Sequence, residues 1–158
     1  MASRTAPVLV QRGLLLDQQR TPDAGRIAEL VAFHRAGHRI LLLARQPVRW
    51  RPTRNSVDED LGLQQALHQA VRRAGAHLDG VLYLAVGLLA RRQARLDELA
   101  GLALRYRIEP AGLIAVGSDP TLLESVIQCG GRALAVGGPK LPGASQHGSM
   151  KSALAVLA

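Results

Sequence analysis

The chain predicts an α/β fold built on a mainly parallel sheet, and three observations carry this. Short β-rich apolar runs alternate with longer helical patterns; each run is nearly continuously apolar, as strands covered by helices on both faces must be; and caps, glycines and prolines punctuate the junctions. Five strands are expected, over Pro7–Val10, His38–Leu43, Gly80–Ala85, Gly112–Val116 and Arg132–Val136.

Between the first two strands, Ile27, Leu30, Val31 and His34 recur at helical spacing, with Pro22 near the start and Gly37 just past the end. This predicts a helix over Asp23–Ala36. A second helix, Val57–Ala74, is marked by a capping box at Ser56-Val57-Asp58-Glu59, an apolar stripe of Leu63, Leu67, Ala70, Val71 and Ala74, and Gly75 as C-cap. The third, Leu89–Arg105, carries Leu96, Leu99, Ala100, Ala103 and Leu104 on one side, with Pro110 beyond it. A fourth begins at Pro120 with the pattern Thr121-Leu122-Leu123-Glu124 and stops at Gly130-Gly131. Residues 137–158 form a Gly/Pro-rich segment followed by a short helix from about Met150.

Short connections and right-handed crossovers arrange five such units as a doubly wound, Rossmann-like parallel sheet in the order 3-2-1-4-5, without a separate cap domain. Ligands of such sheets bind at the carboxyl ends of the strands, near the switch between strands 1 and 4. Function is therefore expected in the loops after strands 1, 2 and 4.

With 158 residues, 47% of them hydrophobic and 20% charged, the chain fits one domain over 1–158. Lone Cys129 excludes an internal disulfide and a cysteine-based zinc site, and reads as a small buried residue in a reducing compartment. No signal-like or membrane-length apolar run is present, so a cytoplasmic location without membrane contact is expected. Four aromatic residues, Phe33, Trp50, Tyr83 and Tyr106, supply too few stacking platforms for a base-binding module. The formal charge is +8 and the basic side is lopsided, eighteen Arg against Lys140 and Lys151, which points to anionic partners.

Three segments carry the functional reading. Val8-Leu9-Val10-Gln11-Arg12-Gly13 closes strand 1, Arg39-Ile40-Leu41-Leu42-Leu43-Ala44-Arg45-Gln46 closes strand 2, and Leu113-Ile114-Ala115-Val116-Gly117-Ser118-Asp119 closes strand 4. With Leu78–Tyr83 and Gly131–Val136 they make nearly the whole chain resemble the haloacid dehalogenase-like (HAD) phosphatases, in particular the small heptose-bisphosphate and histidinol-phosphate branch. That resemblance implies a nucleophilic aspartate and an acid/base aspartate after strand 1, where this chain has Gln11 and Gly13. It also implies a phosphate-binding Thr or Ser where Ala44 stands, a metal-binding Asp that in strict register falls on Ser118, and a phosphate-clamping Lys where only Arg91, Arg92 and Gln93 are offered. The branch's Cys/His zinc loop has no counterpart between Tyr83 and Ala90.

The resemblance thus implies a catalytically degenerate phosphatase domain that acts by binding an anionic metabolite or a protein partner. Arg12, Arg45, Gln46, Arg49, Arg91, Arg92 and Ser118 are its anion-binding candidates, beside Trp50, Arg51, Arg54 and Arg95. No cofactor is expected. Magnesium enters only in the alternative reading, a working phosphatase on a small sugar phosphate with a rearranged site that uses Asp17, Asp119 and Glu124. Asp119 and Glu124 are the residual metal-ligand candidates, although Asp119 reads more simply as a helix N-terminal residue. Nucleic-acid binding through the Arg surface is disfavoured, and a homo-oligomer is compatible with all readings. His34 and His38 straddle Gly37, and His68 and His77 find no second ligand at useful spacing, so no histidine metal site is expected.

Overall fold

The computed structural model describes residues 6–46, 54–87 and 91–158. Strands β1 (Val8–Gln11), β2 (Ile40–Arg45), β3 (Val81–Leu84), β4 (Ile114–Gly117), β5 (Arg132–Val136) and β6 (Ser145–His147) alternate with helices α1 (Ala24–Arg35), α2 (Arg54–Arg73), α3 (Arg92–Arg105), α4 (Pro120–Gln128) and α5 (Met150–Leu157). All strands pair in parallel in the order β3-β2-β1-β4-β5-β6. No helix among the described residues is long and apolar enough to cross a membrane.

The expected order is found with one strand added: the sheet has six strands rather than five. β6 lies inside the segment read as a Gly/Pro-rich loop. Ser145, Gln146 and His147 have no apolar run to announce a strand, yet their backbone pairs with Leu134, Ala135 and Val136. A short polar strand suits a sheet edge, where one face of backbone must meet water.

Strict alternation along each strand splits the core in two. Val8, Val10, Ile40, Leu42, Val116 and Leu134 point to one face, beneath Ile27, Leu30 and Val31 of α1, Leu67 and Val71 of α2, and Ala153 and Leu154 of α5. Leu9, Leu41, Leu43, Ala115, Ala133 and Ala135 point to the other, beneath Leu99, Leu102 and Ala103 of α3 and Leu122, Leu123 and Val126 of α4. Two-sided burial explains why the strands read as unbroken apolar runs.

Several boundaries shift. β2 begins and ends two residues later than expected, because β3 offers backbone partners to Ala44 and Arg45 beyond the apolar run. Residues Pro110–Gly112 form a 3-10 turn before β4. Helix α2 starts at Arg54, so Ser56 lies inside it and is not its N-cap. In α4 the cap is Asp119, whose side chain accepts from the Thr121 N–H, in place of the Thr121 box. Helices α1 and α2 both stop at glycines in the left-handed region, Gly37 at φ 102° and Gly75 at φ 98°, which a side chain there would strain.

Candidate functional site

Strand β1 lies between β2 and β4, so the carboxyl ends of these three bring Gln11, Arg45 and Gly117-Ser118-Asp119 together at the sheet's switch point. Gln11 fills the space between them. Its Oε1 accepts the Ser118 N–H at 2.6 Å and the Asp119 N–H at 2.8 Å. Gly117 is what allows this: a Cβ there would stand 2.6 Å from that oxygen. Two adjacent amides at a strand end are natural donors to an anion, and here a neutral amide of the chain itself occupies them.

Asp119 is committed twice over. It caps α4, and Arg45 grips its carboxylate through Nε to Oδ2 and Nη2 to Oδ1, the latter at 2.9 Å. Burial works to raise the Asp119 pKa, but the Arg45 guanidinium and the capping N–H outweigh it and hold the carboxyl below its ordinary value. The bond to Asp119 likewise holds Arg45 above its own. The pair is asymmetric in exposure: the Asp119 side chain is 7% exposed and that of Arg45 54%.

Arg12 opens the 3-10 turn after β1 and is buried. Its Nη2 donates to Asp60 Oδ1 at 2.6 Å, its Nη1 to Gln64 Oε1 at 3.2 Å and to the Tyr83 hydroxyl at 3.3 Å, and the guanidinium lies 5.6 Å from the centre of the Tyr83 ring. Tyr83 closes the ring by donating to Asp60 Oδ2 at 2.6 Å. Burial pushes Asp60 upward, but the bonds from Arg12 and Tyr83 win and lower it. Burial, then Asp60, raises Tyr83. Gln64 Nε2 is buried without a partner among the described residues. This quartet ties α2 to β1 and β3.

The remaining candidates do not converge on the crevice. Arg92 Nε donates to Gln128 at 2.7 Å, and Arg95 bridges Ser125 Oγ at 3.0 Å and the Ala85 carbonyl at 3.1 Å, so both clamp α3 to its neighbours. Arg91 is exposed ahead of α3, and Glu124 is exposed on α4. Asp17 accepts from the Gln19 and Thr21 N–H groups at 2.9 Å and from the Thr21 hydroxyl at 2.5 Å, and those Thr21 bonds lower its pKa. It is held within its own turn. Gln46 continues the β2 ladder by donating its N–H to the Leu84 carbonyl. Ala44 is buried, while Gly13 and Ser118 are exposed. Arg49, Trp50 and Arg51 lie outside the described residues, and Arg54 opens α2.

Asp60 and Gln64 were not among the expected site residues, although a signal exists. Counting back from Val71 and Leu67 along the buried face of α2 lands on Gln64 and Asp60, a polar extension of the apolar stripe toward the carboxyl edge. Tyr83 carries no such mark, because only strand register places it beside Arg12.

Comparison with solved structures assigns the fold. D,D-heptose 1,7-bisphosphate phosphatase from B. bronchiseptica, solved with magnesium and phosphate, matches with a TM-score of 0.72 at 15% identity, over 96% of this chain and 97% of that one. The same enzyme from Burkholderia thailandensis matches with a TM-score of 0.70 at 17% identity, over 96% and 97%. A HAD-superfamily hydrolase from Ehrlichia chaffeensis matches with a TM-score of 0.52 at 12% identity, over 91% and 64%. The chain has the haloacid dehalogenase-like fold. No family model matches it, and no curated protein matches it in sequence.

Proposed function

We propose that this chain is a phosphatase-fold domain that does not transfer phosphoryl groups and acts by binding, at its carboxyl edge, an anionic metabolite or an acidic surface of a partner protein. The observation that carries this reading is Gln11: at the end of β1 it presents an amide whose oxygen already accepts from Ser118 and Asp119. An amide is a poor nucleophile and cannot shuttle a proton, and Gly13, two residues on, has no side chain.

The donor set at this edge does not fit magnesium. That ion asks for octahedral oxygen ligands anchored by one or two carboxylates, and the carboxylate that the described residues bring to the crevice, Asp119, is gripped by a guanidinium. Among the described residues no three His, Cys, Asp or Glu side chains come together to hold a metal. What remains open to a ligand is the exposed flank of Arg45, with Ser118. A guanidinium half in water suits a carboxylate or phosphate.

The match to two phosphatases over nearly the full length favours a second reading, a phosphatase of small phosphorylated sugars acting through Asp17, Asp119 and Glu124. Against it, those three form no metal-holding group among the described residues, and Asp17 is held within its own turn. Hydrolysis of a generic phosphate monoester with magnesium decides between the two. The expected outcome is no turnover above that of Asp119→Ala; magnesium-dependent turnover lost in that variant would establish the enzyme. Arg45→Gln is expected to weaken whatever anion or acidic partner the carboxyl edge binds.

A further inference from the structure

The opposite, amino-terminal edge of the sheet carries a cationic cluster that the fold does not use. Helix α2 ends there, and the loop from Ala74 leads into β3. His68 and Arg72 stand four residues apart on one face of α2, and with Ala76, His77 and Leu78 they line a concavity of about 530 Å³. Among the described residues no carboxylate lines it. From α1, the His34 ring meets the His77 ring edge-on at 4.8 Å, and Arg35 lies against Gly75 with its Nη2 3.4 Å from the Ala74 carbonyl. Asp79, two residues beyond His77, is bound to Arg39 at 2.9 Å and to the Tyr106 hydroxyl at 2.9 Å.

Cations at a helix C-terminus ordinarily serve its free carbonyls. Here that work is done by other groups. Ala74 N–H donates to the Ala70 carbonyl, Ala76 N–H to Val71 and Gly75 N–H to Arg72, while Arg35 reaches Ala74. His34 is oriented by its Nδ1, 3.0 Å from the His38 carbonyl. Arg72 and His68, by contrast, make no side-chain hydrogen bond or ion pair among the described residues. Arg12, Arg26, Arg39, Arg45, Arg92 and Arg95 all do.

We propose that His68, Arg72 and His77 form a binding site for a small phosphate-bearing molecule. A guanidinium fork takes two oxygens of a phosphate head, the imidazoles offer N–H donors to the rest, and Ala76 and Leu78 give the carbon skeleton an apolar wall. The volume suits a metabolite-sized ligand.

The experiment titrates the full chain with inorganic phosphate and follows the histidine ring resonances by NMR. The His68 and His77 rings should shift with saturable dependence on phosphate. Arg72→Gln should weaken that binding about tenfold, the loss of one charge-assisted contact, whereas Lys140→Gln, at an exposed lysine between β5 and β6, should leave it unchanged. Ring shifts reproduced by chloride at equal ionic strength, or unaltered in Arg72→Gln, would overturn the site. So would an oligonucleotide binding there far more tightly than phosphate and with a steep salt dependence, which would make the surface a nucleic-acid contact. Because Arg72 is exposed, the variant folds normally. Failure here leaves the carboxyl-edge reading untouched, since that is read through Arg45 and turnover.

Discussion

The two ends of this sheet hold their positive charge in different ways. At the carboxyl edge each central arginine has found an acid: Arg12 is buried on Asp60, and Arg45 clasps Asp119, while Gln11 closes the amides between them. At the amino edge His68, Arg72 and His77 surround a concavity that no acid enters. The end that binds ligands in sheets of this topology has drawn Arg12 and Arg45 into ion pairs and leaves the exposed flank of Arg45 to a ligand, whereas His68 and Arg72 at the other end make no side-chain hydrogen bond or ion pair among the described residues. Charge counted along the chain therefore says little until each guanidinium is assigned a neighbour.

Removing one member of the inward-facing network tests that contrast most severely. Arg12→Ala leaves the half-buried Asp60 without its cation and Gln64 without its donor, and should cost about 2 to 3 kcal/mol in a urea titration; a loss below about 1 kcal/mol would mean that the quartet does not hold α2 to the sheet. Asp119→Ala removes a helix cap and the Arg45 partner together and should cost about 2 kcal/mol by the same measurement. Its pH dependence carries a sign. The folded values of Asp60 and Asp119 lie below their unfolded ones, so their stabilisation is complete above about pH 4 and is lost as acid takes the pH down through the folded values. The decline of melting temperature below about pH 4 should accordingly be shallower in Asp119→Ala than in the parent.

Smaller effects sharpen the contrast. Gln11→Leu deprives the Ser118 and Asp119 amides of their acceptor and should cost about 1 kcal/mol, since water reaches part of this exposed site, while Gln11→Glu, which keeps an acceptor, should cost less. Arg72→Gln should change stability by less than about 0.5 kcal/mol in either direction. A larger loss would show that the amino edge, too, uses its cation structurally, and the difference between the two ends would disappear.

Much of the fold is legible in the residue pattern because burial is two-sided. Runs such as Leu41-Leu42-Leu43 cannot face water on either side of a strand, and Asp23 and Gly37 mark the ends of α1 by local chemistry alone. Strand β6 escaped because Ser145-Gln146-His147 is held by backbone pairing with β5, which leaves no trace in side-chain polarity. The α2 start was misplaced because Ser56 has the chemistry of a cap but lies within a helix that begins at Arg54. At the site, Gln11, Gly13, Ala44 and Ser118 were readable as departures from a phosphatase pattern, and Asp119 as an N-terminal helix residue. The pairing of Arg45 with Asp119, and of Arg12 with Tyr83, was not readable.

By itself, then, the sequence determined the alternation of strand and helix, the order of the first five strands, and the want of a carboxylate at the end of β1, since each of these follows from residue type, local periodicity and the rules of chain connection. Only the tertiary structure decided what the arginines do. Arg12 and Asp60 are separated by 48 residues, and Arg45 and Asp119 by 74. The attraction between such charges depends on distance and burial, neither of which spacing along a chain records.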